Sequence, residues 1–483
     1  MLQLQESTLK RKLKNRHIQF IALGGSIGTG LFLGTGSAIS AAGPAVLLGY
    51  LISGIAIFFI MRQLGEMDAQ EPMAGSFSYF AYKYWGKFPG FIAGWNYWIL
   101  YVLIGITELT AIAAYAQYWF PCLATWKTAL FFFILINVIN LITVKAYGEI
   151  EFWFSSIKII AICAMILTGS YILFFNPSLV PGASIKNLWV STSISENSLF
   201  NGIFPNGLRG LITAIPIITF AFGGLELIGI AASETENPKK AIPKAVNQSV
   251  FRILIFYIGS IVVLLSLYNW SKLTPDSSPF VLIFDKIGFK YMAWTLNFII
   301  LTAALSVYNS CIYSNSRMLY ALSLQDNAPK ILTKTNRRGI PVHALMVSTI
   351  LTFFVVPLNY FVPNWFDAFK IIMSFVVVCA LLSWTMITIS HMKFKKQKNI
   401  EHYTKDTMVF PSPLYPYSNY FTLTFYNFIL VVMALPKLGM FKQVIALPIW
   451  ILIVYLGYRL CNFKKFKLRK WSYSNERNSE YTE

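Results

Sequence analysis

The sequence predicts an all-α membrane protein with about twelve transmembrane helices. Three observations support this fold class. The chain is 56% hydrophobic and only 12% charged, with a mean hydropathy of +0.57, whereas soluble domains carry about twice that charged fraction. Apolar runs of about 20 residues, the length that crosses a bilayer, recur along the chain. Short clusters of Lys and Arg separate these runs.

Each predicted span is a run of mostly apolar residues. The runs are 18–40, 43–65, 88–118, 126–145, 151–175, 208–232, 246–268, 291–322, 342–361, 365–391, 417–436 and 441–461. They divide the chain into an N-terminal tail (1–16), a first five-helix repeat (17–175), a second five-helix repeat (208–391), a final helix pair (417–461) and a C-terminal tail (462–483).

The net charge of +20 would, taken alone, suit nucleic-acid binding. The positions of the basic residues argue against that partner and for a lipid bilayer. They cluster at 10–16, 239–244, 330–338, 393–398 and 464–470, whereas the long segment 176–207 holds only Lys186. Because cytoplasmic loops carry the excess of Lys and Arg, we expect a multi-pass protein of the bacterial inner membrane with both termini in the cytoplasm.

No motif indicates a metal, a cofactor or an enzyme active site. The cysteines are far apart in the sequence and lack metal-ligand spacing. They are Cys122, Cys163, Cys311, Cys379 and Cys461. Because no nucleophile–base or metal constellation stands out either, the sequence predicts a protein that is not an enzyme and needs no cofactor.

The strongest chemical signal is a pair of glycine-rich interruptions, at 24–30 in the first apolar run and at 220–226 in the sixth. Paired interruptions at matching positions of two repeats point to a transporter binding site. Unwound backbone frees N–H and C=O groups that lipid cannot satisfy, and these suit the two charges of an α-amino acid. The alternative is close helix packing through small residues, above all for Gly30, Gly34 and Gly36.

Three of the ionisable residues inside the predicted spans stand out: Glu108, Lys158 and Glu226. Ionisable groups within the bilayer are costly and therefore suggest function, here the uptake and release of a proton. The alternatives are a buried ion pair or a side chain that extends to water. Tyr101 lies seven residues before Glu108 and shares its helix face, so it is expected to line an aromatic pocket, unless that face only packs against another helix.

These segments resemble the amino-acid permeases of the amino acid–polyamine–organocation superfamily, most of all the bacterial aromatic amino-acid and phenylalanine permeases. The resemblance covers about residues 10–465. The motifs that carry it are RHIQFIALGGSIGTGLFLGTG (16–36), GWNYWILYVLIGITELTA (94–111), GEIEFWFSSIKIIAI (148–162), ITFAFGGLELIGI (218–230) and ALSVYNSCIYSNSRMLYALSLQDNAPK (304–330).

The resemblance implies the five-plus-five inverted-repeat fold first known from leucine transporters, with two additional helices and with discontinuous first and sixth spans. It implies that the substrate carboxylate meets the backbone at 28–30 and that the amino group meets carbonyls at 26, 220 and 223. It also implies that Phe222 is an aromatic gate and that Lys158 stands where sodium-coupled relatives bind sodium. The expected substrate-binding residues are Ser26, Ile27, Gly28, Thr29, Gly30, Tyr101, Phe220, Ala221, Phe222 and Gly223.

The predicted function is proton-coupled uptake of an amino acid by alternating access, with Phe, Tyr or Trp as cargo. Two departures from the family pattern bear on this prediction: Ala221 replaces an expected serine beside the site, and Asp326 replaces an expected glycine at a cytoplasmic helix end. The alternatives are an aliphatic, basic or GABA permease, or an amino-acid sensor that does not transport.

Overall fold

The computed structural model describes residues 13–141, 144–190, 202–273, 278–286, 288–362, 364–400, 408–435 and 440–479. Residues 1–12 of the predicted N-terminal tail and 480–483 of the C-terminal tail lie outside these ranges. The described chain is helical, and its only β-type pairing is an isolated parallel bridge between Leu13 and Thr235. The predicted all-helical class is therefore confirmed.

The α-helices are numbered here in chain order. They are α1 (Asn15–Ser26), α2 (Thr35–Ala42), α3 (Val46–Gln70), α4 (Phe77–Phe80), α5 (Lys87–Ala116), α6 (Thr125–Asn140), α7 (Val144–Phe175), α8 (Gly207–Phe220), α9 (Leu227–Ala232), α10 (Pro238–Leu267), α11 (Pro279–Lys286), α12 (Lys290–Leu324), α13 (Val342–Thr352), α14 (Val355–Phe361), α15 (Trp365–Ile400), α16 (Tyr417–Met433) and α17 (Phe441–Ser479). A π-helical turn, Gly30–Gly34, stands between α1 and α2.

In the described residues, eight helical segments are long and apolar enough to cross a membrane. One of them, Asn15–Gln70, contains both the first and the second predicted runs, and two shorter apolar helices, Thr125–Asn140 and Gly207–Phe220, match the fourth and sixth. The chain is thus a membrane protein with several spanning helices, while the count of twelve stays a prediction.

Several helices extend beyond the apolar runs that predicted them. The helix α10 begins at Pro238 rather than at 246, and α15 continues to Ile400 rather than ending at 391. The helix α17 likewise runs to Ser479, through most of the predicted C-terminal tail. The added stretches are rich in Lys, which is a good helix former. An apolar run therefore marks the part of a helix suited to lipid rather than the ends of the helix.

The long helices α5 and α12 form the centre of the molecule. They pack against each other, and α5 also packs against α15. Large apolar side chains project outward from the surrounding helices, among them Phe131 of α6, Leu167 of α7 and Ile350 of α13. Because a bilayer is the solvent that accepts such side chains, this distribution suits a lipid-facing surface. The interrupted segments lie inside this shell, where they pack against α10 and α12 and make side-chain hydrogen bonds with α5.

One ion pair and several hydrogen bonds connect the helices near the isolated bridge. The Arg317 guanidinium donates to Glu234 Oε1 over 2.9 Å, and both side chains are buried. The Tyr313 hydroxyl donates to the same oxygen over 2.9 Å. Leu13 exchanges backbone hydrogen bonds with Glu234 and Glu236. The segment before α1 is therefore tied to the segment after α9, which places both interrupted helices in one unit.

Candidate functional site

The first interruption begins where α1 ends at Ser26. Ile27 leaves the helical conformation, with φ −85° and ψ 85°, and the Gly28 N–H donates to the Ser26 carbonyl over 3.1 Å. Regular winding returns as the wide π turn that starts at Gly30. Glycine at 24, 25, 28 and 30 makes this break inexpensive, because it tolerates unwinding and close backbone approach.

The second interruption lies between the end of α8 at Phe220 and the start of α9 at Leu227. Its pivot is Gly224, whose φ of +100° favours glycine. A Cβ atom at Gly224 would collide with the Gly25 carbonyl, and a Cβ atom at Gly30 would lie 2.6 Å from Ala221 Cα. The two interruptions therefore touch, backbone against backbone.

One tyrosine links both interruptions. The Tyr257 hydroxyl, carried by α10, lies 2.8 Å from the Ser26 carbonyl oxygen and 2.7 Å from the Ala221 carbonyl oxygen. Its ring packs edge-on against Tyr50 and beside Phe222. Sequence analysis missed Tyr257, because a tyrosine within an apolar run carries no signal of a backbone contact made 36 residues away.

Lys158 is buried beside the first interruption. Its Nζ donates to the carbonyls of Gly24 over 2.6 Å and Ile27 over 3.0 Å. These carbonyls flank the point where α1 unwinds, so the lysine satisfies backbone acceptors that lipid could not. A carboxylate that was not predicted from the sequence, Glu151, lies about two helical turns before Lys158 on α7 and accepts from Ser306 Oγ over 2.5 Å.

The other two predicted ionisable residues also reach the interruptions. Glu108 Oε1 accepts from the Thr29 hydroxyl over 2.8 Å, and Glu226 Oε1 accepts from the Tyr101 hydroxyl over 3.1 Å. Among the described residues, the second carboxylate oxygen of each has no hydrogen-bond partner. The ring of Tyr101 packs 4.4 Å from that of Tyr97. One helix, α5, thus supplies both an acid and an aromatic side chain.

These groups enclose a narrow cavity that leaves about 30 Å³ for the centres of water-sized spheres. A single water occupies about 10–15 Å³, so the side chain of an amino acid would require the cavity to widen. Eight of the predicted residues line it: Ser26, Gly28, Gly30, Tyr101, Glu108, Phe220, Gly223 and Glu226.

Other predicted residues lie behind the cavity wall. The cavity lining does not include Ile27, Thr29, Lys158, Ala221 or Phe222. They reach it through the contacts described above, and Phe222 is fully buried beside Tyr50 and Tyr257.

The rest of the lining was not predicted from the sequence and comes from the interrupted segments, α5, α12 and α15. The missed residues are Gly25, Leu100, Ile104, Thr219, Gly224, Leu227, Val307, Val376, Val377 and Ala380. Small aliphatic residues are common in every spanning helix, so only their position in three dimensions marks them.

The described residues contain no group of three His, Cys, Asp or Glu side chains placed to hold a metal ion. The polar groups at the interruptions are backbone carbonyls, two carboxylates, an ammonium and tyrosine hydroxyls. Such a set can bind a small charged or zwitterionic molecule through hydrogen bonds, and it can hold a proton.

Comparison with known proteins settles the family. The Amino acid permease family model matches residues 17–472. The chain belongs to the amino acid permease family. Members of this family are transport proteins, so the prediction that the chain is not an enzyme is confirmed. With its several apolar helices, this permease is a multi-pass protein of the bacterial inner membrane.

Three relatives illustrate how much of this permease is shared. The Aromatic amino acid transport protein AroP of Escherichia coli (strain K12) is 51% identical over 450 residues, which cover 93% of this chain and 95% of that protein. AroP of Salmonella typhimurium (strain LT2) is 51% identical over 462 residues, or 96% of this chain and 97% of its own. The Amino-acid permease AapA of Bacillus subtilis (strain 168) is 41% identical over 469 residues, covering 96% and 98%. The predicted family resemblance is confirmed.

Replacing Tyr257 with Phe is expected to destabilise the permease. The change removes the hydroxyl that serves the Ser26 and Ala221 carbonyls. The Ser26 carbonyl keeps the Gly28 N–H, whereas the Ala221 carbonyl loses its donor, and a buried acceptor left unpaired costs about 1–3 kcal/mol. The measurement is the thermal melting temperature of the purified protein in detergent. The control is Tyr426→Phe, which removes a buried hydroxyl without a partner in the described residues. Equal melting temperatures for the two variants would contradict the prediction.

Replacing Gly30 with Ala is expected to lower transport of the permease's own cargo at least tenfold. The added methyl group would overlap the Ala221 backbone and push the two interruptions apart. The matched control is Gly457→Ala on α17, where nothing lies within 4 Å of the added methyl group. Initial uptake rates at equal protein content in the membrane provide the measurement. Wild-type uptake by Gly30→Ala would show that the close approach of the interruptions is dispensable.

Proposed function

We propose that this permease takes up aromatic amino acids together with protons, by alternating access. The observation that carries the proposal is the meeting of two helix interruptions at one buried cavity, where backbone groups lie beside the side chains of Tyr101, Glu108 and Glu226. The name of the AroP relatives, aromatic amino acid transport protein, supports an aromatic cargo. Tyr101 and Phe220 in the cavity lining offer rings against which an aromatic side chain can pack.

In this proposal the cargo binds through its α-amino acid group. The carboxylate meets backbone N–H groups at 28–30, at the start of the π turn, where the positive end of a helix dipole favours an anion. The ammonium group meets carbonyls of Ser26, Phe220 and Gly223. The Ser26 carbonyl already lies 2.8 Å from the Tyr257 hydroxyl, so that hydroxyl can turn fully to Ala221 when the cargo arrives.

The ring that faces the cargo in this proposal is Phe220 rather than Phe222. Phe220 lines the cavity and packs edge-on against Phe369 of α15, with ring centroids 6.1 Å apart. Phe222 instead packs against the aromatic ring of Tyr257 and thereby supports the hydroxyl that spans both interruptions. Displacement of Phe220 would widen the cavity toward α15, where Val376 and Val377 form the opposite wall.

Proton coupling is assigned to Lys158, with Glu108 and Glu226 as further carriers. A protonated Lys158 attracts the Gly24 and Ile27 carbonyls with a full charge, whereas a neutral amine holds them with ordinary hydrogen bonds. Gain or loss of this proton therefore changes how firmly α1 is held at its break. Glu108 has the same relation to Thr29, on the other side of the break.

Alternating access would arise from two inverted five-helix repeats, with α1–α2 and α8–α9 in corresponding positions. The proposal also includes twelve spans with both termini in the cytoplasm, and the distribution of Lys and Arg supports this orientation.

The small aliphatic lining at Val307, Val376 and Val377 favours an aliphatic amino acid as the second candidate cargo. A sensor that binds without transport is a third possibility.

Reconstituted in liposomes with an inward proton gradient, the permease is expected to accumulate labelled phenylalanine, and unlabelled Tyr and Trp are expected to compete. A panel of the common amino acids as competitors measures the specificity. If only aliphatic amino acids competed, the cargo would be aliphatic rather than aromatic. Binding of an amino acid without accumulation would indicate a sensor rather than a transporter. Collapse of the gradient with a protonophore serves as the control for coupling.

Lys158→Gln is expected to abolish accumulation driven by the pH gradient while it leaves exchange of internal for external cargo measurable. A glutamine amide can still donate to the Gly24 and Ile27 carbonyls, but it carries no titratable proton. Both activities are measured in the same liposomes, with Lys186→Gln, an exposed lysine far from the cavity, as the matched control. Retained accumulation by Lys158→Gln would rule out this residue as the proton carrier.

A further inference from the structure

A second, larger cavity lies beyond the first interruption, away from the N-terminal end of α1. Its volume is about 400 Å³, within the range of about 300–1,000 Å³ that small-molecule sites occupy. It is built where α5 ends, where α12 and α15 begin, and along α11. With the orientation proposed above, this cavity opens on the outer side of the membrane. We call it the outer pocket.

Aromatic side chains and one acid give the outer pocket its chemistry. Tyr115, Tyr118 and Trp365 line it together with apolar Leu33 and Val281. Asp285 also lines it, on the exposed end of α11. No Lys, Arg or His of the described chain forms a salt bridge with Asp285, and no cationic side chain is part of the lining. The pocket therefore offers rings and a carboxylate that has no salt-bridge partner in the described chain.

Two buried polar groups line the outer pocket without a hydrogen-bond partner in the described residues. The Tyr115 hydroxyl and the Ser278 hydroxyl, on side chains that are 8% and 6% exposed, have no hydrogen-bond partner in the part of the chain described. Buried polar groups are nearly always hydrogen-bonded, so such orphans mark a place where a ligand or water supplies the bond. Asn297 is already engaged, because its amide donates to the Tyr115 carbonyl over 3.0 Å.

We propose that the outer pocket binds an aromatic primary ammonium compound, with the ring among Tyr115, Tyr118 and Trp365 and the ammonium group at Asp285. Aromatic faces attract both apolar rings and cations, and a carboxylate pairs with an ammonium ion. The outer pocket thus selects the ring and the ammonium group of its ligand.

The outer pocket lies in line with the central cavity. Tyr115 follows Glu108 by seven residues on α5, which is about 10 Å along the same helix face. Leu33 belongs to the π turn that starts at Gly30, and α11 contacts this turn. An aromatic amino acid carries the ring and ammonium group that the pocket selects, so under the proposed function the pocket is its first stop on the way in. The role of the pocket in delivering cargo rests on the proposed function, whereas the binding of an aromatic ammonium compound does not.

The direct test is equilibrium dialysis of labelled 2-phenylethylamine against the purified full-length protein in detergent. Phenylethylamine lacks a carboxylate and therefore cannot use the central backbone site fully. Asp285→Asn is expected to raise its Kd at least tenfold. The control is Asp326→Asn, the same chemical change beyond the opposite end of α12, which is expected to leave the Kd unchanged. Equal Kd values for wild type and Asp285→Asn would overturn the proposal.

Two further probes test the two halves of the ligand. Butylamine, which has the ammonium group without the ring, and 3-phenylpropionate, which has the ring without the ammonium group, are both expected to bind at least tenfold more weakly than phenylethylamine. If butylamine bound as tightly as phenylethylamine, the proposed role of the aromatic rings would be wrong. If 3-phenylpropionate bound as tightly, the proposed role of Asp285 would be wrong. Phenylalanine uptake separates this proposal from the previous one: binding that depends on Asp285 in a protein that transports no aromatic amino acid would refute the proposed function and leave the outer pocket in place.

Discussion

The structure depends on one constraint: backbone groups released by unwinding inside a bilayer must find partners within the protein. Two side chains from two different helices meet this requirement, and a third holds a side chain at the first break. Lys158 of α7 serves the Gly24 and Ile27 carbonyls, and Tyr257 of α10 serves the carbonyl at 26 and that of Ala221. Glu108 of α5 accepts from the hydroxyl at 29. The interruptions are thus held open by their surroundings, since glycine only permits them.

The same contacts involve groups that respond to the charge of a bound cargo or of a proton. Each partner of the interrupted backbone is a group that a zwitterion or a proton could displace or alter. A cargo ammonium at the Ser26 carbonyl would compete with Tyr257, and a change of charge on Lys158 would alter its hold on Ile27. Cargo and proton would therefore act on a single element, the break in α1. Coupling needs no long-range pathway when both ligands bias the same two-state element.

The sequence was sufficient for the helical class, the family and the positions of both interruptions, because glycine clusters and apolar runs are local signals. It also placed Tyr101 and Glu108 on one helix face, and both line the cavity. It could not identify Tyr257 or the valines of α12 and α15, because ordinary side chains become part of a site only through packing between distant segments. Whether Phe220 or Phe222 faces the cavity also depends on the exact geometry of the turn, which residue type does not define.

The unequal sizes of the two cavities bear on how cargo could enter. The central cavity leaves only about 30 Å³, whereas the outer pocket offers about 400 Å³. Under the proposed function, an aromatic amino acid would enter the outer pocket directly but would reach the centre only after the interruptions separate. The contact that opposes such separation is the approach of Gly30 to the Ala221 backbone, and the contact that spans both interruptions is the Tyr257 hydroxyl. A cargo that supplies its own ammonium group and carboxylate to the separated backbone would replace the lost contacts. The free energy needed to widen the cavity would then come from the cargo itself, which ties opening to the presence of a zwitterion.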